Sequence, residues 1–199
     1  MGTALFEKIF QVVYLVCFVV GSFIRVWYSR KNRQDRRAIL STEGVAVAML
    51  AGLWGIAILL PLLGLFTNWL DFANYGMPVS AGFIGAAIFI FALWLLWRSH
   101  ADLGRAWSVT TEVKSGQLLV SDGVYRYIRH PMYAAHMLWG IAQALLVWNW
   151  ISGLASLVIF VPLYFLRVTR EEKLMLEQFG DGYKSYMNRT GRIIPRLAK

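Results

Sequence analysis

Residues 123–133 read GVYRYIRHPMY, crowding tyrosines, arginines, a histidine and a proline between a polar loop and a long apolar run. Proline in the first turn of a helix loses no hydrogen bond and fixes the entry angle. Arg129, His130 and Tyr133 would then stand at a helix start, where free N–H groups and the dipole favour a bound carboxylate or phosphate. The same residue types also anchor proteins at headgroup depth, so spacing alone leaves both readings open. A second pair, Arg167 and Glu171, is spaced i, i+4 and so shares one helix face. It reads either as an ion pair within one helix or as two charged groups meeting ligands of opposite sign where a span leaves the membrane. Glu172 has the weaker geometric case.

Other chemistries find little support. His100, His130 and His136 match no common metal-ligand spacing and fall on three different elements, so no metal is expected. Cys17, the only cysteine, excludes an internal disulfide and reads as apolar filler in mid-span. The chain has no GxGxxG fingerprint, P-loop or GxSxG elbow.

The elements that must position these residues are membrane spans. The 199 residues are 58 % hydrophobic, and residues 44–66 and 79–97 lack charged and amide side chains altogether. An uncharged helix of about 20 residues covers the roughly 30 Å hydrocarbon core, so each reads as a span. The predicted fold is an all-α integral membrane protein, a single domain over residues 1–199. Its five spans are near 5–27, 44–66, 79–97, 132–148 and 151–168, with a polar region at 99–131 and 167–199. Residues 132–166 carry no charge but are too few for two full spans and a turn. They are expected to form a tight hairpin turning around 149–153, its second arm bent at Pro162 and continuing into RVTREEKLMLEQF. Leu174, Met175 and Phe179 would hold that extension by an apolar face. Pro61 should bend the second span, and Ser41 or Thr42 should cap it. His136 and Gln143 are expected to face protein. Arg25, Trp27 and Tyr28 read as an interfacial anchor rather than the flank of a cleavable leader.

The net charge of +9 is unevenly placed. Lys and Arg concentrate in 29–40, 98–129 and 167–199, whereas 67–78 has none and carries Asp71. The positive-inside rule then puts the amino terminus outside and the carboxyl terminus, with the site, in the cytoplasm. The basic segments face anionic headgroups, and no nucleic-acid partner is expected.

The block GVYRYIRHPMY, followed by RVTREE and then FGDGYKSYMNRTGRIIP, resembles the isoprenylcysteine carboxyl methyltransferase family over about residues 117–195. The resemblance implies a small helical bundle that uses S-adenosyl-L-methionine, leaves S-adenosyl-L-homocysteine, and methyl-esterifies the carboxylate of a prenylated cysteine arriving from the bilayer. It also implies that Gln117, Leu118, Leu119, Val120, Tyr125, His130, Pro131, Met132, Tyr133 and Glu171 contact the cofactor. Arg167 would hold the substrate, and Arg167 and Glu171 would carry catalysis. Gln117 departs from the histidine that relatives carry there. Alternatives are a membrane methyltransferase acting on a phospholipid amine or small thiol, a sterol reductase using a nicotinamide cofactor, or a non-catalytic lipid-binding protein.

Overall fold

The computed structural model describes residues 2–31, 44–104 and 119–196. Six α-helices follow one another: α1 (Gly2–Lys31), α2 (Val45–Ala57), α3 (Leu60–Phe66), α4 (Val79–Leu103), α5 (Pro131–Val147) and α6 (Trp150–Arg189). Short 3-10 turns lie at Asp71–Ala73 and Gly123–Arg126. Among the described residues there is no strand, only two isolated bridges. Four helical stretches, Thr3–Lys31, Val45–Phe66, Val79–Leu103 and Trp150–Arg189, are long and apolar enough to cross a membrane. Their outer faces are apolar, with Leu5, Val12, Val16, Val19 and Phe23 of α1 all exposed. Side chains of that kind are stable in lipid and costly in water, which makes this a multi-pass membrane protein.

The centre of the bundle is α5, which packs on α4, α1 and α6, while α2 and α3 lean on α6. At 17 residues and 1.5 Å per residue, α5 is about 25 Å long, shorter than the roughly 30 Å hydrocarbon core. Its Gln143 and His136 side chains are satisfied inside the protein. Gln143, fully buried, accepts from the Tyr14 hydroxyl at 3.2 Å and donates to the Ser152 carbonyl at 2.6 Å. His136 is buried as well, and Cys17 lies in the apolar core.

Several boundaries differ from those read in the sequence. The stretch 44–66 is not one helix. The ladder stops at Ile58–Leu59, and Pro61 occupies the first turn of α3. A proline has no N–H for the carbonyl one turn back and its ring crowds that carbonyl, so the break falls upstream of it. The third span continues to Leu103, so 99–103 are helical. The turn after α5 is only Trp148–Asn149, with Trp148 in the left-handed region at φ 52°. Asn149 sets the start of α6 at Trp150: its Oδ1 accepts from the Ile151 and Ser152 amides at 3.1 and 2.9 Å. Its Nδ2 donates to the Leu70 carbonyl and Asn74 Oδ1, both at 2.7 Å. Pro162 sits within helix, and the backbone departs from helical values at Gly180 instead (φ 51°). The buried residues on the far half of α6 are Val168, Glu172, Tyr183 and Tyr186. Leu174 is exposed and Met175 and Phe179 only half-buried, so they do not form the expected holding face. The expected caps Ser41 and Thr42 lie outside the described residues.

Close helix packing rests on small residues, as is usual where lipid removes the hydrophobic drive between helices. At Gly82 of α4 an added Cβ would overlap the ring of Phe10, which is itself fully buried in α1. Gly82→Val should therefore separate α1 from α4 and lower stability by about 1–3 kcal/mol, the usual range for overpacking. Thermal melts in detergent would measure this, with Gly52→Val, where a Cβ meets open space, as the comparison.

Candidate functional site

The site is assembled where the polar ends of α4, α5 and α6 meet the 119–130 loop. Asp102, at the end of α4, is salt-bridged to Arg98 at 2.6 Å and accepts from the Val124 amide at 2.9 Å. An added Cβ at Gly123 (φ 60°) would strike that carboxylate, so both the backbone angle and the space call for glycine. The turn so held buries Tyr125, whose hydroxyl donates to the Ser99 carbonyl at 3.3 Å. Beyond it the loop pairs with the chain's last described segment. The Arg129 amide donates to the Gly191 carbonyl at 2.8 Å, the His130 amide to Arg192 at 2.9 Å, and the Gly191 amide to Tyr127 at 3.3 Å. Tyr186 adds a hydroxyl bond to the Tyr125 carbonyl at 2.7 Å.

At the middle of this arrangement is Glu172, buried on α6. Its Oε1 accepts from Arg129 Nε and Nη2 at 3.1 and 3.0 Å and faces His130 Nε2 at 3.3 Å. Its Oε2 accepts from Arg192 Nη2 at 2.7 Å. Arg129 also donates through Nη1 to the carbonyls of Met187 and Thr190. One carboxylate thus ties the start of α5, the polar half of α6 and the 190–192 segment together. Glu172 lies beyond the apolar run of α6, which ends at Leu166. Burial opposes its charge, but the hydrogen bonds from His130, Arg192 and Arg129 prevail and bring its pKa down to about 2.

Glu171, the next residue, faces outward from that hub toward α5. The Tyr133 hydroxyl donates to its Oε1 at 2.5 Å, and its Oε2 lies 3.6 Å from His130 Nδ1. One turn earlier on the same helix is Arg167, half-buried. Arg25 does not point to the interface as its sequence context implied. Its Nη1 reaches His136 Nε2 at 2.8 Å and its guanidinium lies 5.7 Å from the Trp54 ring centroid. Trp27 does stay exposed, and Tyr28 stacks on His100 at 4.9 Å.

Of the residues expected at the site, Glu171, His130 and Tyr133 come together, and Arg167 lies one turn before Glu171 on α6. Pro131 occupies the first turn of α5, and the Met132 carbonyl accepts from His136 Nδ1 at 2.7 Å. Leu119 is half-buried, and Val120, also half-buried, packs on the apolar core beside Tyr125. Gln117 and Leu118 lie outside the described residues. Sequence reasoning ranked Glu172 below Glu171 and gave Arg129, Arg192 and Arg25 no such roles. Arg129 and Arg192 stand in the motifs RHPMY and RTGRIIP, but their shared partner is visible only once the chain is folded. Among the described residues no cluster of three His, Cys, Asp or Glu could hold a metal.

Removing one partner of a buried ion network leaves the others uncompensated. Glu172→Ala should therefore cost about 3–5 kcal/mol. Arg192→Ala should cost about 1 kcal/mol or less, because that side chain is 48 % exposed and Arg129 remains. Equal losses in denaturation of the two variants would count against Glu172 as the hub. His130 gives the pH dependence. Burial disfavours its cation, but hydrogen bonds and charge from Glu171 and Glu172 outweigh this and raise its pKa above 6.5. Its contribution to stability is then complete below about pH 6.5 and lost as pH rises through the folded value. His130→Gln should flatten the decline in melting temperature on that alkaline side.

Known proteins share this arrangement of sequence. The profile of the isoprenylcysteine carboxyl methyltransferase (ICMT) family matches residues 85–177, from mid-α4 through the hub on α6. The protein-S-isoprenylcysteine O-methyltransferase of Schizosaccharomyces pombe is 32 % identical over 89 residues, 45 % of this chain and 38 % of that one. Protein-S-isoprenylcysteine O-methyltransferase A of Arabidopsis thaliana is 29 % identical over 161 residues, 79 % of this chain and 77 % of that one. The chain thus spans under half the length of the yeast relative. The solved structure of the eukaryotic intramembrane Ras methyltransferase ICMT has a similar fold, with TM-score 0.57 and 24 % identity over 71 % of this chain and 52 % of that one. Through residues 85–177, which carry α5, the RHPMY turn and both glutamates, the chain is similar to the isoprenylcysteine carboxyl methyltransferase family.

Proposed function

We propose that this chain is an S-adenosylmethionine-dependent methyltransferase that esterifies the carboxyl-terminal carboxylate of a prenylated cysteine. The observation that carries this reading is the contact of Tyr133 with Glu171, one helical turn beyond Arg167 at the end of the last apolar run, within the family-matched segment. The chain forms one domain crossing the bilayer five times, α5 included, with its amino terminus outside. The site then faces the cytoplasm, as the distribution of Lys and Arg favours.

The residues suit the cofactor. Glu171 is bonded to Tyr133 while its side chain stays 21 % exposed, so it can accept from an amine or ribose hydroxyls. His130 and Tyr133 border it, and Leu119, Val120, Tyr125, Pro131 and Met132 are assigned to the rest of the cofactor's surroundings. When bound, S-adenosylmethionine supplies an electrophilic methyl on a sulfonium sulfur. The acceptor carboxylate is ionised at neutral pH, so no general base is required. Arg167 holds one carboxylate oxygen and leaves the other to attack. Alignment of that kind is worth roughly 7–11 kcal/mol. Exclusion of water adds to it, since a hydrated carboxylate is a poor nucleophile. An isoprenoid tail favours lipid by on the order of 10 kcal/mol, at about 0.8 per methylene, which accounts for a site reached from within the membrane.

The test is methyl transfer to N-acetyl-S-farnesylcysteine together with calorimetric titration of S-adenosylhomocysteine. Arg167→Ala should lower turnover more than about 100-fold while cofactor binding persists, a loss of about 2.7 kcal/mol or more. Glu171→Ala should lose both. Full activity in the two variants would end this assignment, and absence of any cofactor binding by the native chain would end the methyltransferase reading itself.

A further inference from the structure

Next to the Glu172 hub, the last described segment encloses an open cavity of about 600 Å³, whose walls include Arg129, Arg192, Ile194 and Arg196. Backbone pairing fixes where it stands. The amides of Arg129 and His130 donate to the Gly191 and Arg192 carbonyls, so the segment is held against the residues that immediately precede α5. The apolar run of α5 begins there, at Met132. On α4 the exposed rings of Trp94 and Trp97 precede Arg98, whose guanidinium lies 5.6 Å from the Trp97 ring centroid. Tryptophan beside arginine marks the headgroup level of a span. Asp102, one turn beyond Arg98, binds the Val124 amide of the loop that leads to Arg129. Both helices therefore put the cavity at headgroup depth.

Its charge is unbalanced. Arg129 and Arg192 share a single carboxylate, Glu172, which also faces His130. Among the described residues Arg196 has no acidic partner, and its Nη1 donates to the Met187 and Asn188 carbonyls. A guanidinium carries five N–H donors. Arg192 gives Nε and Nη2 to Glu172, so its Nη1 is left, as are Nε and Nη2 of Arg196. Both side chains are exposed. Beside these donors the surface is apolar: Ile194 is 74 % exposed, and Tyr127, whose carbonyl accepts from the Gly191 amide, is 60 % exposed. Basic and apolar side chains interleaved at this depth suit a lipid surface, where headgroup and acyl chain are met together.

We propose that this cavity binds an anionic phospholipid, its phosphate between Arg192 and Arg196 and its acyl chains running along Ile194 and Tyr127 into the bilayer. The unesterified oxygens of a phosphodiester match the planar donors of a guanidinium. A zwitterionic headgroup carries a cation of its own, which the excess of arginines repels, so a headgroup of net negative charge is preferred. The site is separate from the methyl-acceptor reading and stands or falls without it.

The test counts lipids bound to the full chain in a non-ionic detergent by intact-complex mass spectrometry, with dioleoylphosphatidylglycerol and dioleoylphosphatidylcholine as probes. The native chain should bind the phosphatidylglycerol at least about fivefold more tightly, the order expected of one arginine at a charged surface. Arg196→Gln should bring that preference below about twofold, and Arg196→Lys should keep most of it. Arg196 is outside the hub, so these variants test the cavity without loosening Glu172. Arg192→Gln is the second measure and should show the same loss. Arg30→Gln removes an equal charge from an exposed position on α1 outside the cavity and should leave the preference intact. Equal binding of the two lipids by the native chain overturns the proposal, as does a preference that survives both Arg196→Gln and Arg192→Gln. An equal loss in Arg30→Gln overturns it as well, because the preference then follows net charge alone. Displacement of the lipid by millimolar inorganic phosphate marks a site for phosphate rather than lipid, with the same consequence.

Discussion

A carboxylate taken out of water must be met by cations, and Glu172 meets that demand by drawing in Arg129, Arg192 and His130. Those partners come from the start of α5 and from the segment after α6, so neutralising one charge fixes three pieces of backbone. The paired amides and carbonyls of 127–130 with 191–192 then align the two segments along their length. Consecutive helix residues are about 100° apart around the axis. With Glu172 locked inward, Glu171 is necessarily rotated to the edge of the same helix, where Tyr133 and His130 reach it. The structural carboxylate positions the one proposed to meet the cofactor.

The membrane-embedded part follows a different rule. Lipid offers no hydrogen bonds, so Tyr14, Gln143 and the Ser152 carbonyl satisfy one another across three helices. Asn149 does the same beside them at the α5–α6 turn, capping α6 while binding Leu70 and Asn74. The short helix α5 is thereby pinned at its carboxyl end, and the Glu172 contacts of Arg129 and His130 hold its start. Because α5 also presents Tyr133 and His136, pinning it sets the depth of the site relative to α1 and α6.

Much of this was legible in the residues. Spans of apolar side chains have one viable structure in a bilayer, so helices over 44–66 and 79–97 followed from length and composition. Pro131 as a first-turn residue and the continuation of the last span into RVTREE followed from local rules. What local rules do not contain is pairing at long range. Glu172 looked secondary because its partners, Arg129 and Arg192, are remote in sequence, and the i, i+4 relation drew attention to Glu171 instead. Arg25 looked like an anchor because arginine near a helix end usually snorkels to the interface. Only the fold shows His136 offering a lone pair on the inner side. Pro162 stays within helix, which neighbouring helices make tolerable, whereas Gly180 takes a backbone angle that other residues resist.

The division of charge within the site bears on how the proposed reaction would turn over. Glu171 offers a negative group beside Tyr133, and Arg167, one turn earlier on α6, offers a positive one. Reactants of opposite charge, a sulfonium and a carboxylate, are each attracted to the half of the site that opposes them. Methyl transfer converts the pair into a neutral thioether and a neutral ester. Neither product interacts with those fixed charges as its parent did, so the field that assembles the reactants ceases to hold the reacted groups. A site built from opposed fixed charges thus favours binding before reaction and release after it. It also leaves acceleration to alignment and the exclusion of water, which is what a reaction needing no proton transfer at its nucleophile requires.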